Sequence, residues 1–523
     1  MSEMAALPLD LLMFAGLCLF VLTGAPIAFV LAGTATFFAI LGWSLGDLNF
    51  RLLGAYPTRV FGLMTSETLV AIPLFVFMGM VLQRARIAEE LLETMGALFG
   101  SIRGGLAVSV TLVGALLAAS TGIVGATTVT MGLMALPVML RFGYGAAFAS
   151  GTICSAGTLG RIIPPSTVLI IMGEVLSSAY QQAQHASGNF AAKTLSVGEL
   201  FAGSLLPGLV LVGLYIVYQL VIAFLRPDIA PPVRGQTSAV TDVGLRDVMR
   251  TLFPPLALMV GVLGSIIGGI ATATEAASVG AVGATLLAGR KMTRRRWAIW
   301  VAIICAVAVM VMSANFDLRV GRPDAPPLDR AMLALAGALT LAVAGSLVVI
   351  WRELARLGIL LPSLDSTARI TAMIFTIVIG AYLFSLVFRG LGGDLRITAL
   401  LEAAPGGEYG AMFLVLGLMF LLGLFLDYVE ITIIVIPVVG PAILGGGIDP
   451  VWFGVLVALV LQTSFLTPPV GYTLAYLRSV APREVSTGAI WRGAVPFIGL
   501  QFIAIAIVFF WPGLATRLPS VLF

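Results

Sequence analysis

A chain of 523 residues that is 59% hydrophobic and only 10% charged stands far from the roughly one-quarter charged content of soluble domains, and it would expose more apolar surface than a soluble fold can keep in water. The net charge of +4 rests almost wholly on arginine, with Lys193 and Lys291 the only lysines; no clustered basic face offers itself to nucleic acid. Cys18, Cys154 and Cys305 are scattered, without the spacing of a disulfide framework or a metal site.

The N-terminus carries Glu3 and Asp10 and no Lys or Arg before Arg51, so it lacks the basic start of a cleaved signal. Residues 8–43 read as two retained helices meeting near Gly24-Ala25-Pro26. In chain order, full crossings are predicted near 8–23, 26–43, 67–83, 203–225, 252–272, 275–289, 297–314, 331–350, 369–388 and 496–513. Four further apolar stretches are broken in the middle: 104–141 and 410–444 read as re-entrant helical hairpins, 146–178 and 451–478 as interrupted helices. The stretch 179–200 reads as a polar external loop, in which His185 is a solvated residue.

Arginine placement gives the orientation. With an external N-terminus, Arg84, Arg86, Arg103, Arg141, Arg226, Arg234, Arg246 and Arg250 fall inside, with Arg478, Arg483 and Arg492. The dense run Arg290, Lys291, Arg294, Arg295 and Arg296 falls inside too, as a membrane anchor. Arg51 and Arg59 are the clearest exceptions.

The halves then begin on opposite sides of the membrane, and the sequence carries the repeat. Pro137, Gly143, Pro164 and Pro165 are matched, at one constant offset, by Pro441, Gly447, Pro468 and Pro469; Thr128 with Thr432 and Phe148 with Trp452 share that offset. An extra helix pair at about 297–350 leaves the topology unchanged. A break in a membrane helix persists only where freed backbone groups face protein or a cavity, and Pro164-Pro165 and Pro468-Pro469 must end helical geometry. Their carbonyls suit a cation and the following helix N-termini an anion. Paired breaks in an inverted repeat point to a secondary-transporter site near the midplane.

Candidate substrate-binding residues are therefore Arg161 with Pro164, Pro165, Ser166, Pro468 and Pro469 at the breaks and Thr127 on the first hairpin. Arg161 is costly at that depth unless it pairs or reaches water; it can grip a substrate carboxylate in bidentate fashion or sit in an intraprotein ion pair, for instance with Glu174. Asp427 and Glu430 lie within an apolar stretch, where carboxylates are usually functional. Glu275 reads as a residue that caps or pins a scaffold helix.

Taken together, Ala273-Thr274-Glu275-Ala276-Ala277, the break from Gly160 to Ser166, and the run from Leu426 to Pro482 with Leu466-Thr467-Pro468-Pro469-Val470-Gly471 resemble the large membrane (M) subunit of tripartite ATP-independent periplasmic (TRAP) transporters over the whole chain. Thr121-Gly122-Ile123-Val124-Gly125-Ala126 and Leu426-Asp427-Tyr428-Val429-Glu430-Ile431-Thr432 resemble its branch labelled mannitol/chloroaromatic, a label that is a poor guide to substrate. The resemblance implies an all-α polytopic protein of the bacterial inner membrane, an inverted-repeat elevator with two re-entrant hairpins and two broken helices. Residues 104–178 and 410–480 would form the transport domain; 1–103, 179–409 and 481–523 would form the scaffold. It implies a small membrane (Q) subunit, a periplasmic substrate-binding protein (P), a small organic anion as substrate and Na+ as coupling ion. In the family, sodium lies between each hairpin tip and its broken helix, which points to Ser120, Thr121, Gly122, Thr158 and Gly160 on one side. On the other it points to Asp427, Thr432, Thr463, Thr467 and Gly471. Arg161 departs from the apolar or amide residue of the family pattern and favours an anion.

A stand-alone sodium/divalent-anion symporter of similar fold is the competing reading. The sequence holds no H-E-x-x-H, no G-x-S-x-G with a triad histidine and no Walker A loop, which removes intramembrane hydrolysis and ATP-driven pumping.

Overall fold

The structure, a computed structural model, describes residues 8–21, 23–121, 124–191, 193–232, 245–319 and 326–523. All regular elements among them are helical. The first half runs α1 (Leu9–Val21), α2 (Ile27–Leu45), α3 (Tyr56–Met64), α4 (Glu67–Arg84) and α5 (Ile87–Phe99). The hairpin α6 (Gly105–Thr121) and α7 (Val124–Arg141) follows. Then come the broken helix α8 (Ala146–Thr158) and α9 (Thr167–Ala186), with a 3-10 turn at Leu159–Arg161, and the long α10 (Val197–Leu225). The second half runs α11 (Leu245–Ile267), α12 (Ala273–Met292), α13 (Arg296–Asn315), α14 (Pro327–Arg356), α15 (Leu360–Gly390) and α16 (Gly393–Glu402). The hairpin α17 (Gly407–Leu422) and α18 (Tyr428–Gly445) leads to the broken helix α19 (Pro450–Leu466) and α20 (Tyr472–Val480), then α21 (Thr487–Phe510) and α22 (Gly513–Leu522).

Ten of the described helices are long and apolar enough to cross a membrane, and the shorter apolar ones include both first hairpin arms and α19. The division differs from the expected one: the second hairpin arms α7 and α18 are among the ten, whereas α1, with 13 residues, and the small-residue-rich α12, both expected to cross, are not. The predicted repeat is visible in the helix ends. α7 and α18 start and finish 304 residues apart, and α8 and α19 start at the same interval. Each hairpin leaves through a left-handed glycine at a matched position, Gly143 at φ 81° and Gly447 at φ 94°, a conformation that disfavours side chains. Both Pro-Pro bonds, Pro164-Pro165 and Pro468-Pro469, are cis. Outside the hairpins, α2 packs on α15 and α12 on α4, the reciprocal pairing produced when α2 matches α12 and α4 matches α15.

Several expectations shift. The polar stretch 179–200 is only partly a loop: α9 continues to Ala186 and places His185 in its last turn, and α10 already starts at Val197. The Ser177–Gln184 region extends the helix because its side chains bond one turn apart, Gln181 to Ser177 and Gln182 to Ser178. The connecting helices α3, α5, α16 and α22 are too short to cross and were not anticipated. Glu275 does cap a helix: with Thr272 it forms a capping box at the start of α12, Thr272 N donating to Oε2 at 2.8 Å.

The tightest helix crossing joins α8 to α21. A Cβ on Gly493 would collide with the Ala147 carbonyl oxygen, and one on Gly151 with the Gly493 carbonyl oxygen. Small residues that let two backbones touch are the usual solution inside a bilayer. Gly493→Val is expected to lower stability by about 1–3 kcal/mol or more through overpacking, measured as a lower unfolding temperature in detergent; an unchanged value would show that the crossing can open without cost.

Candidate functional site

Each hairpin sits against its own broken helix. In the first half, Thr128 of α7 lies so close to Gly157 that a Cβ there would strike its hydroxyl; in the second, Gly423 after α17 is matched in the same way to the Ser464 hydroxyl. The hairpins also reach across the repeat. α7 packs on α20, with Gly125 against the Tyr476 ring, and α18 packs on α9. Tips and breaks of both halves therefore meet in one central region.

At that centre some residues touch their own repeat mates. Thr158 and Gln462 are 304 positions apart and hydrogen-bonded, the Gln462 amide donating to the Thr158 hydroxyl at 3.4 Å. The Arg161 guanidinium carbon lies 3.3 Å from the centroid of Phe465, which is its mate at the same interval. A residue contacts its own mate only on the axis that relates the repeats, so these two pairs mark that axis. Around them, Gln501 of α21 donates to Tyr215 of α10 at 2.7 Å and to Thr158 at 3.5 Å. This buried polar layer ties α10 and α21 to the break.

Arg161 is the most unusual side chain of the region. Only 4% of it is exposed. Its Nη2 donates to Asp427 Oδ1 at 3.3 Å, and its guanidinium also approaches the Tyr428 ring at 5.2 Å. Nε and Nη1 are buried and have no acceptor among the described residues. A buried charge with unmade hydrogen bonds is expensive, and the stacked Phe465 ring offsets only part of that cost. The partner is thus Asp427 and not Glu174, whose carboxylate instead accepts from Ser66 at 3.4 Å. The reason is positional: the turn at Leu159–Arg161 aims the side chain at the second hairpin tip, while Glu174 lies on the third turn of α9, facing α4.

Asp427 is the N-cap of α18. Its Oδ2 accepts from Val429 N at 3.4 Å, and Glu430 Oε2 accepts from Asp427 N at 2.9 Å, completing a capping box. The carboxylate is 39% exposed while its arginine partner is sealed. Glu430 Oε2 is engaged in the same cap.

The other candidates divide. Thr463 and Thr467 donate to carbonyls one turn back, Leu459 and Thr463, at 2.7 and 2.8 Å, and keep oxygen lone pairs for a cation. Thr432 is buried on the second turn of α18. Gly471 fits less well: its carbonyl accepts from Leu474 and Ala475 to start α20, at 2.8 and 3.1 Å, so that oxygen is used within the helix. Thr158 is drawn to the central glutamine layer and Gly160 is buried in the 3-10 turn. Ser120 and Thr121 close α6 with side chains outside the described residues, and Gly122 lies outside them altogether. Ser166, the N-cap of α9, has a buried hydroxyl with no partner, and Thr127 is buried on the first turn of α7.

The two proline breaks differ in access. Pro164 and Pro165 are buried, Pro468 is half-buried and Pro469 exposed. Phe465, Gln462, Gln501 and Tyr215 were missed as site residues; the repeat interval alone would have singled out the first two as mates of Arg161 and Thr158. Gln501 and Tyr215 carry no such signal, since α10 and α21 are not aligned at that interval.

The family pattern described as "Tripartite ATP-independent periplasmic transporter, DctM component" matches residues 14–314 and 287–514. A C4-dicarboxylate TRAP transporter large permease protein of Vibrio cholerae is 27% identical over 96% of this chain and 95% of its own. The ectoine/5-hydroxyectoine TRAP transporter large permease protein of Ruegeria pomeroyi is 25% identical over 85% of this chain and 84% of its own. Among solved structures, the YdaH transporter of Alcanivorax borkumensis shares the fold at a TM-score of 0.51, with 15% identity over 98% of this chain and 99% of that one.

Proposed function

We propose that this chain, which belongs to the DctM-component family of tripartite ATP-independent periplasmic transporters, takes up a small carboxylate across the inner membrane in exchange for the fall of a sodium gradient. The large permease would work with a small membrane subunit and a periplasmic binding protein, as the tripartite family description implies. The observation that carries the reading is Arg161: a sealed guanidinium with two nitrogens lacking acceptors, held by one carboxylate at the opposite hairpin tip. Relatives named for C4-dicarboxylate, ectoine and isethionate all have carboxylate or sulfonate substrates; none carries the mannitol/chloroaromatic label, so the substrate class rests on Arg161 and not on that branch.

Without ligands, Arg161 and Asp427 neutralise each other. A substrate carboxylate on the unused guanidinium donors weakens the hold on Asp427, which then takes sodium together with the Thr463 and Thr467 hydroxyls. Binding anion or cation alone leaves an unbalanced charge; binding both does not. The coupling is reciprocal, each ligand raising the affinity of the other.

The mobile body would comprise 104–178 and 410–480. We add α10 and α21 to it, in place of the scaffold role expected for 179–409 and 481–523 as a whole, because a backbone-to-backbone crossing and the Gln501 layer bind them to the breaks. Contacts that must then break during movement include Ser66 to Glu174 at 3.4 Å, Ser109 to the Met95 carbonyl at 2.8 Å, Gln83 to Thr130 at 2.6 Å and Arg389 to the Pro437 carbonyl at 2.7 Å. The Pro437 carbonyl is the one that Pro441, lacking an N–H, leaves free. The unequal exposure of the two breaks is what one end state of alternating access requires.

The test is uptake of a radiolabelled C4-dicarboxylate or 2-oxo acid into proteoliposomes holding this chain and its small subunit, with and without the binding protein and an inward sodium gradient. Uptake that needs both supports the reading. Uptake with sodium but no binding protein would replace it with a stand-alone symporter.

A further inference from the structure

We infer that the end of the bundle formed by α5, α11, α12 and α13 holds the phosphate headgroup of an anionic phospholipid. A cavity of about 440 Å³ there is lined by Glu90, Arg250, Thr251, Arg290, Lys291 and Arg296, with Pro254, Pro255 and Leu287 among its apolar walls. Its charges are unequal. Lys291 pairs with Glu90 at 3.0 Å and donates to the Arg86 carbonyl at 2.7 Å, so the one acid is already neutralised. Arg250, Arg290 and Arg296 then remain with no acid within ion-pair distance among the described residues. Arg295, next in the run, faces away to Glu353 at 3.7 Å. Three arginines lining one concave site whose only lining carboxylate is taken by Lys291 form an anion site, and arginine favours phosphate because its fork matches the oxygens.

The surroundings select a lipid. On α11 and α13, which carry Arg250 and Arg296, Met249, Phe253, Leu256, Val260, Trp297, Trp300 and Ile304 are exposed apolar side chains, against which acyl chains can lie. The tryptophans mark the membrane–water boundary, and the arginine run marks the cytoplasmic side, where anionic lipids concentrate. The site lies on other helices than Arg161 and Asp427, so it stands or falls independently of the transport reading.

Native mass spectrometry of the full chain, purified in mild detergent and re-supplied with phosphatidylglycerol, cardiolipin or phosphatidylcholine, tests this. The chain should retain phosphatidylglycerol or cardiolipin in preference to phosphatidylcholine. The triple variant R250Q/R290Q/R296Q should bind the anionic lipid on the order of a hundredfold more weakly, given roughly tenfold or less per surface arginine. R226Q/R483Q/R492Q, which removes as many exposed arginines elsewhere, should bind it unchanged and guards against a general charge effect. Equal loss in both variants, equal retention of phosphatidylcholine, or displacement of the lipid by millimolar inorganic phosphate would overturn the proposal, the last by showing a free-phosphate site instead.

Discussion

Arg161→Ala is expected to abolish carboxylate uptake while leaving the chain folded. Truncating one partner of a buried, hydrogen-bonded charge pair costs about 2–5 kcal/mol, or on the order of 30-fold and more in affinity. Part of that loss comes from the charge left unpaired on Asp427, softened because Asp427 is 39% exposed. Removing the charge even relieves the penalty on the two unbonded guanidinium nitrogens, so the folded state should survive, as a monodisperse chromatography profile and a retained unfolding temperature would show. Arg161→Lys keeps the charge and loses the planar fork; it should leave residual uptake with weakened affinity. If the alanine variant binds and transports substrate normally, the Arg161–Asp427 pair is purely architectural.

The second large effect is on sodium. Asp427→Asn keeps an oxygen to cap α18 but removes the negative charge that balances Arg161. Unit charges about 4 Å apart interact by ~1–4 kcal/mol between the limits of bulk water and a protein-like environment, so the sodium dependence of substrate binding should weaken by roughly fivefold or more. Arg161 would then be left with an unbalanced positive charge. The anion should therefore bind about as well without sodium as with it, a flattening that simple loss of structure would not produce. The readout is substrate affinity against sodium concentration by calorimetry, separate from uptake. An unchanged sodium titration would remove Asp427 from the cation site and with it the exchange of partners proposed above.

The local devices of this protein are written in short stretches of its sequence. Membrane crossings follow from apolar runs of sufficient length, and the breaks follow from Pro164-Pro165 and Pro468-Pro469 because proline cannot continue the ladder. The repeat follows from the common interval of prolines and glycines, and the structure repeats it in the ends of α7 and α18. The cap at Glu275 was legible for the same reason: Thr272 and Glu275 are three residues apart, and the bonds are local. Helix extent was harder, since the turn that carries His185 is polar and owes its helix to side-chain pairs, not to hydrophobic pattern.

Pairings between distant segments were decided only by the tertiary structure. That Arg161 meets Asp427 and not Glu174, 266 positions away along the chain instead of thirteen, depends on which way the turn at Leu159–Arg161 points and on how the second hairpin crosses the first break. That Gly493 touches α8, and that Gln501 and Tyr215 complete the layer around Thr158, depends on the packing of α10 and α21, which no interval in the sequence reveals. Composition, proline position and helix caps act over a few residues and are fixed before the chain folds. A buried charge finds its partner only when helices far apart in sequence have packed, because the closeness that makes the pair favourable does not exist until then.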